Sequence, residues 1–243
     1  MKRLYKRLEN FGFQYQCNMC NSYVKKLKPT GENSAFFKKN KIAGGGYREA
    51  ICPVCGSFDR ERMEYYFLKK YTTIFSSKCS VLHFAPETGL KEKLQENKKC
   101  DYITGDITPG RADYVVDITN IQFTDEMFDF IICNHVLEHI PDEAKAISEL
   151  KRVLKPNGRL ILTMPISLNN ESTLEDDQVI TKLDRRNIYG QADHVRLYGK
   201  DVKEHLKKLG LKVKEYELEK IEGKDLATKL SIHRGDRLYY CKK

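Results

Sequence analysis

Asp129-Phe130-Ile131-Ile132-Cys133-Asn134-His135-Val136-Leu137-Glu138-His139-Ile140, followed by Glu149-Leu150-Lys151-Arg152-Val153-Leu154-Lys155-Pro156-Asn157-Gly158, is the stretch on which the fold turns. Residues 128–133 are apolar but for Asp129 and include the β-branched pair Ile131-Ile132, which suits a central strand covered on both faces. Helical periodicity predicts a helix over residues 141–154, and the Pro and Gly of residues 155–158 stop it. Residues 159–164 form the next strand, broken by Pro165. Upstream, a strand over 80–84 leads into a helix over 88–96, then strands over 102–104 and 114–116. Downstream, a helix over 200–209 stops at Gly210, and strands follow over 212–219 and 237–241. Alternating strands and helices argue for a parallel sheet with helices on its faces.

This order, with these words at its joints, resembles the class I S-adenosylmethionine-dependent methyltransferases. The likeness runs from about Ser80 to the C-terminus. The quoted stretch is close to the "FDxVxxxxVLEHIxD … LxRVLKPGG" pattern of the small-molecule branch. Residues 81–87 and 193–199 look like a sub-branch found with glycan-modifying enzymes. The resemblance implies an α/β, Rossmann-like sheet of seven strands, mostly parallel with an antiparallel last strand.

It also implies where the cofactor goes, since open α/β sheets bind ligands at the carboxyl ends of their strands. The family's D-x-G-x-G-x-G loop falls here on His83, Ala85, Glu87 and Gly89, so only the last glycine is kept. Phe84, Ala85, Pro86 and Gly89 are then expected to approach the cofactor, with Glu87 replacing the acid missing at His83. Asp106, with Ile107, takes the position that holds the ribose hydroxyls, a task for a carboxylate that accepts two hydrogen bonds. Asp117 and Ile118 match the adenine contacts. Asn134 and His135 end the fourth strand beside the expected sulfonium.

No [ND]-P-P-[YF] word and no Pro-Cys nucleophile follows the fourth strand, which argues against methylation of nucleobases. Residues 166–198 read as a lid, because long polar insertions at the ligand edge cover substrates. In it, His194 is the expected proton acceptor and His135 its competitor. Imidazole is the side chain that takes a proton near neutral pH. Arg185, Arg186 and Arg196, with Tyr198, are the expected substrate contacts, since guanidinium grips phosphate or carboxylate in a fork.

Cys17-Asn-Met-Cys20 and Cys52-Pro-Val-Cys55 are two C-x-x-C knuckles. Four thiolates at this spacing form a closed tetrahedral site for structural Zn2+. The expected organisation is a zinc-ribbon module over 1–58, a helical linker over 59–79, and the methyltransferase domain over 80–243. Phe11, Phe13, Tyr15, Tyr23, Phe36 and Phe37 are expected to pack around the zinc.

The 243 residues carry a formal net charge of +9. Residues 1–50 hold 11 Lys and Arg against 3 acidic residues. A basic end can serve nucleic acid, or it can be a solvated surface. No apolar run reaches membrane-spanning length and the first residues lack a signal-peptide core, so a cytoplasmic protein is expected. The leading expectation is O-methylation of a small anionic or sugar-containing acceptor, such as a phosphorylated or nucleotide-linked sugar in a surface-glycan precursor. The alternatives are an RNA methyltransferase using the zinc ribbon as a grip, and a non-catalytic cofactor-binding protein.

Overall fold

The structure, a computed structural model, describes residues 2–233 and 235–243. Its centre is a seven-stranded sheet. In chain order the strands are β1 (Cys79–Phe84), β2 (Cys100–Asp106), β3 (Tyr114–Val115), β4 (Phe128–Asn134), β5 (Leu154–Thr163), β6 (Lys212–Glu217) and β7 (Arg237–Lys242). They lie side by side as β6-β7-β5-β4-β1-β2-β3. Only β7 runs against the others, antiparallel to both β5 and β6. This is the mostly parallel α/β sheet with a reversed last strand that the sequence predicts.

Alternation along each strand feeds two separate cores. Leu82, Phe84, Leu160 and Leu162 face one side, under the helices Glu143–Val153 and Val202–Lys208. Val81, Phe130, Ile132 and Ile161 face the other, under the helices Asp59–Tyr71 and Thr88–Gln95. Three local differences from the sequence expectation stand out. β5 starts at Leu154, and its register with β4 breaks between Leu154 and Arg159, so the Pro-Asn-Gly turn bulges within the strand. β6 stops at Glu217, because Leu218 is buried at the head of a helix, Leu218–Glu222. A further helix, Lys224–Leu230, precedes β7.

The first fifty residues are built from two small antiparallel ladders. Phe11–Cys17 pairs with Ser22–Val24, and Lys28–Thr30 pairs with Arg48–Ile51. Each ladder leads into a C-x-x-C knuckle. Only Tyr15 of the six aromatics expected around the zinc packs against the cysteine core. Phe11, Phe13 and Tyr23 are exposed, and Phe36 and Phe37 lie elsewhere, against a cavity of the larger domain. The reason is space: Met19, Val24, Leu27 and Val54 already fill the small core.

The module is fastened to the sheet domain. Ile42–Ala43 pairs with Ile166–Ser167 of the expected lid. Buried Arg62, on the linker helix, donates to the carbonyls of Leu230, Ser57 and Ala50 at 2.7, 2.9 and 2.8 Å. Among the described residues no helix is long and apolar enough to cross a membrane.

Candidate active site

Two cavities open at the carboxyl ends of the parallel strands. The first, of about 540 Å³, is lined by Phe84 and Ala85 after β1, Asp106 and Ile107 after β2, Asp117 and Ile118, and His135 after β4. Asp106 uses Oδ1 to accept the Thr108 N–H at 2.7 Å, which fixes the turn and leaves the second oxygen for a ligand hydroxyl. Asp117 is fixed in the same way by the Thr119 N–H and hydroxyl, at 2.8 and 2.7 Å. Ile118 is buried and offers an apolar floor. This donor set fits a nucleoside: carboxylates for ribose hydroxyls and an amino group, and an apolar side chain for a ring.

The loop after β1 departs from the sequence expectation. Ala85 adopts φ 45°, left-handed backbone that glycine adopts far more readily. Its N–H still donates to the Gly105 carbonyl at 2.8 Å. Pro86, Glu87, Gly89 and Asn134 do not line the cavity. Glu87 instead accepts from His83 Nε2 at 3.2 Å, while the Tyr102 hydroxyl sits 2.9 Å from His83 Nδ1. Burial opposes charge on Glu87, yet the His83 hydrogen bond and the Arg60 and His135 charges draw its pKa down to about 2. Glu87 therefore stays ionised inside the protein, bound to His83 and outside the lining of this cavity.

Asn134 is buried between Glu64, which accepts its Nδ2–H at 2.5 Å, and the Thr163 hydroxyl, which donates to its Oδ1 at 2.9 Å. Burial pushes the Glu64 carboxyl up, with the nearby Glu87 charge adding to it. Glu64 of the linker helix, its carboxyl pushed toward the neutral form, thus lies under the end of β4 beside the ionised Glu87 of the loop after β1. Glu61, from the same helix, explains Gly89. Its Oε2 accepts the Phe58 N–H at 2.8 Å, and its Oε1 accepts those of Gly89 and Leu90 at 2.8 and 3.1 Å. One carboxylate therefore caps the linker helix and the helix Thr88–Gln95 together. A Cβ at residue 89 would stand 2.7 Å from Glu61 Oε1. Gly89→Ala is expected to cost about 1–3 kcal/mol of stability, the usual range for overpacking. Chemical denaturation measures this, and an unchanged midpoint would refute it.

The second cavity, of about 640 Å³, meets the first at His135, His139 and Asp193. Its floor is Glu138, His139 and His194. Its far wall comes from the N-terminal module: Phe36, Phe37 and the backbone of Gly44-Gly45-Gly46. Gly44 is held by a 2.7 Å hydrogen bond to buried Asp236. Arg48, Arg60 and Arg186 also border it. Arg48 is committed to Asp59, while Arg60 reaches Glu87 only at 3.5 Å. Sequence reasoning missed the module's share of this cavity, because glycines and phenylalanines far upstream carry no signal of where they fold. The Gly-Gly-Gly word was the one available hint.

His194 is buried and lies edge-on to His139, with ring centroids 4.7 Å apart. Burial holds its pKa below the ordinary imidazole value, despite the opposing Glu138 charge. His135 takes φ 52°, an uncommon conformation for a non-glycine residue, and its Nδ1 stands 3.4 Å from Glu138 Oε1. Of the expected substrate contacts, only Arg186 borders the cavity, paired with Glu32 at 3.0 Å. Arg185 donates to the Val179 carbonyl and stays outside. Arg196 is 1% exposed and is spent on the Leu137, Ile140 and Pro141 carbonyls and on Glu175. Tyr198, also buried, donates its hydroxyl to Glu143 at 2.6 Å. These two side chains hold the lid to the segment after β4 and have nothing left for a substrate. The lid itself is ordered, with Leu174–Glu175 paired to Arg196–Leu197 and a helix over Lys182–Tyr189.

Cys17, Cys20, Cys52 and Cys55 converge, all four sulfurs within 4.8 Å of one another. The Cys17–Cys55 and Cys20–Cys52 sulfurs are 3.6 and 3.8 Å apart. A tetrahedral Zn–S bond of about 2.3 Å requires neighbouring sulfurs about 3.8 Å apart, whereas a disulfide would bring them to about 2 Å. Gly56 (φ 82°) lets its N–H turn back to the Cys52 carbonyl at 2.9 Å and close the second knuckle. Four crowded thiols of this geometry fit one zinc ion.

Residues 79–162 match the family described as a methyltransferase domain. The strand order is that of the Rossmann-like methyltransferase fold, and the match falls on its β1 to β5. Over 112 residues the chain is 30% identical to the tRNA U34 carboxymethyltransferase of Campylobacter curvus, covering 45% of this chain and 37% of that protein. It is 36% identical over 93 residues to an uncharacterized protein of Methanocaldococcus jannaschii, covering 38% of this chain and 42% of the other. Among solved structures it resembles the Haemonchus contortus phosphoethanolamine N-methyltransferase 2 in complex with S-adenosyl-L-methionine. That match has a TM-score of 0.50 at 15% identity, and covers 77% of this chain and 52% of the other. The aligned segments span between 11% and 42% of the curated relatives' lengths.

Proposed function

We propose that this protein is an S-adenosylmethionine-dependent methyltransferase acting on a hydroxyl of a small anionic or sugar-containing acceptor, such as a surface-glycan precursor. The observation that carries the reading is the meeting of the two cavities at His135, His139 and Asp193. The first cavity has the residues for a nucleoside. Bound there, the cofactor supplies a methyl group on a sulfonium and keeps the electron pair of the breaking S–C bond.

The second cavity has the character of a sugar site. Phe36 and Phe37 give apolar rings, the three glycines give bare peptide groups, and Arg60 and Arg186 give positive charge for a phosphate or carboxylate. The acceptor oxygen must lose its proton as it forms the new O–C bond. His194 takes that proton on this reading, neutral because it is buried and facing the acceptor. The zinc holds the module that builds the far wall.

Asp106→Ala is expected to weaken S-adenosylhomocysteine binding by about 1.5–3 kcal/mol, the scale of hydrogen bonds to a charged group. Titration calorimetry measures it, and unchanged affinity in a folded variant would remove Asp106 from the cofactor site. Incubation with S-adenosylmethionine and a panel of sugar nucleotides, sugar phosphates and RNA then tests the acceptor. A product methylated on a sugar oxygen is expected.

A second reading, RNA methylation, is favoured by one surface. Phe11, Phe13 and Tyr23 are exposed and in mutual contact, beside the helix Lys2–Glu9 with its Lys and Arg residues. Aromatic rings among positive charges stack bases and track phosphates. Methylated RNA with unmodified sugars in the panel would establish it in place of the first.

A further inference from the structure

Two buried polar atoms at the floor of the second cavity have no hydrogen-bond partner among the described residues: His194 Nδ1 and Glu138 Oε2. The two residues are 3% and 1% exposed. Burying a polar atom without a partner is costly, and two side by side call for a reason. Both belong to a cluster in which one donor atom from each of Glu138, His139 and His194 lies within 4.8 Å of the others.

We propose that Glu138, His139 and His194 form a site for a divalent first-row transition cation, whose open position takes the acceptor oxygen. The second clause rests on the functional reading above; the first does not. Two imidazoles and one carboxylate with an open position are the ligand set of catalytic zinc centres. A tetrahedral ion with donors at about 2.1 Å sets them about 3.4 Å apart, so atoms already within 4.8 Å of one another close around it on binding.

The surroundings support this. Ligating imidazoles are held by a hydrogen bond through the other ring nitrogen. Asp193 Oδ2 stands 3.3 Å from His139 Nδ1, which leaves His139 Nε2 as the donor. On His194 the buried Nδ1 is without a partner among the described residues and is the nitrogen free to ligate. His135, 3.4 Å from Glu138, completes the rim without being needed as a ligand. The site differs from the cysteine cluster in kind. Thiolates are soft and closed around their ion, whereas imidazole and carboxylate bind harder, exchangeable cations.

A cation there changes the part His194 plays. A hydroxyl bound to the ion loses its proton more readily. The proton passes to His135, and the oxygen lone pair forms the bond to the methyl carbon as the S–C pair withdraws to sulfur. His194 then holds the ion and takes no proton itself. Loss of turnover on substitution cannot separate the two roles, but metal content can.

The full chain is stripped with chelator, dialysed against zinc and, separately, cobalt, and its metal counted. Two ions per chain are expected in the wild type, one in His139→Gln, one in His194→Asn and one in Cys52→Ser. His139, at 32% side-chain exposure, is the variant least prone to misfold, and heat unfolding checks that it has not. With cobalt, the ion lost in His139→Gln should show weak visible bands of nitrogen and oxygen ligation, without thiolate charge transfer. One ion in the wild type under saturating metal, or two retained in folded His139→Gln, overturns the proposal. S-adenosylhomocysteine binding in the same samples reports on the cofactor cavity. One ion with intact binding therefore sinks the metal site alone, and two ions without binding sinks the methyltransferase reading alone.

Discussion

His194→Asn lowers kcat by about 10²–10⁴-fold on the true acceptor and leaves S-adenosylhomocysteine affinity unchanged. That factor is the usual contribution of a positioned proton acceptor, and loss of an ion held by the same ring acts in the same direction. The asymmetry comes from geometry, because His194 borders only the second cavity, whereas His135 borders both. His135→Asn should accordingly disturb cofactor binding as well as turnover. The two effects separate in a calorimetric titration run beside initial-rate kinetics. Full turnover in His194→Asn would mean that positioning alone carries the reaction and that the ring serves only to pack on His139.

Cys52→Ser removes the tightly held zinc and opens residues 1–58 before the seven-stranded sheet melts. Structural zinc in small domains contributes about 10–16 kcal/mol at neutral pH, and this is folding free energy. The module cannot replace it, since its buried core holds little beyond Met19, Val24, Leu27 and Val54 around the cysteines. Cys52 is 1% exposed and its backbone N–H is bonded to the Ser57 carbonyl at 2.9 Å, so the knuckle and the start of the linker helix loosen together. Metal analysis and limited proteolysis check the outcome: zinc lost from this site, and first cuts within 1–58. Protease resistance equal to the wild type would show that Arg62 and the Ile42–Ala43 pairing suffice without the ion.

The sheet was legible because its information is local. The apolar run Phe130–Cys133, the stop at Pro156-Asn157-Gly158 and the position of Asp106 at a strand end each announce themselves within a few residues. The cysteine cluster was legible for the same reason, its spacing being its geometry. What stayed hidden depends on partners far apart in the chain. The helical linker begins with the charged run Asp-Arg-Glu-Arg, yet Asp59, Glu61, Arg62 and Glu64 are buried. Their partners are Arg48, the Gly89 and Leu90 amides, the Leu230 carbonyl and Asn134. Arg196 fails as a substrate ligand for a similar reason: a guanidinium that grips phosphate also satisfies backbone carbonyls, and composition does not tell the two apart. Gly89 fits the family's loop pattern, but here it makes room for a carboxylate.

The wall of the second cavity is shared between chain segments that lie more than a hundred residues apart, while the first cavity is drawn from the sheet domain alone. The two recognition tasks are therefore free to diverge at different rates. Change in the Phe36–Gly46 region retunes what enters the second cavity and leaves the grip on the first untouched. Exchange of the whole cysteine module is a larger step, because Ile42–Ala43 pairs with Ile166–Ser167 and the Phe58 amide shares Glu61 with the Gly89 turn. New acceptors in descendants of this chain should arise first from drift in that upstream loop.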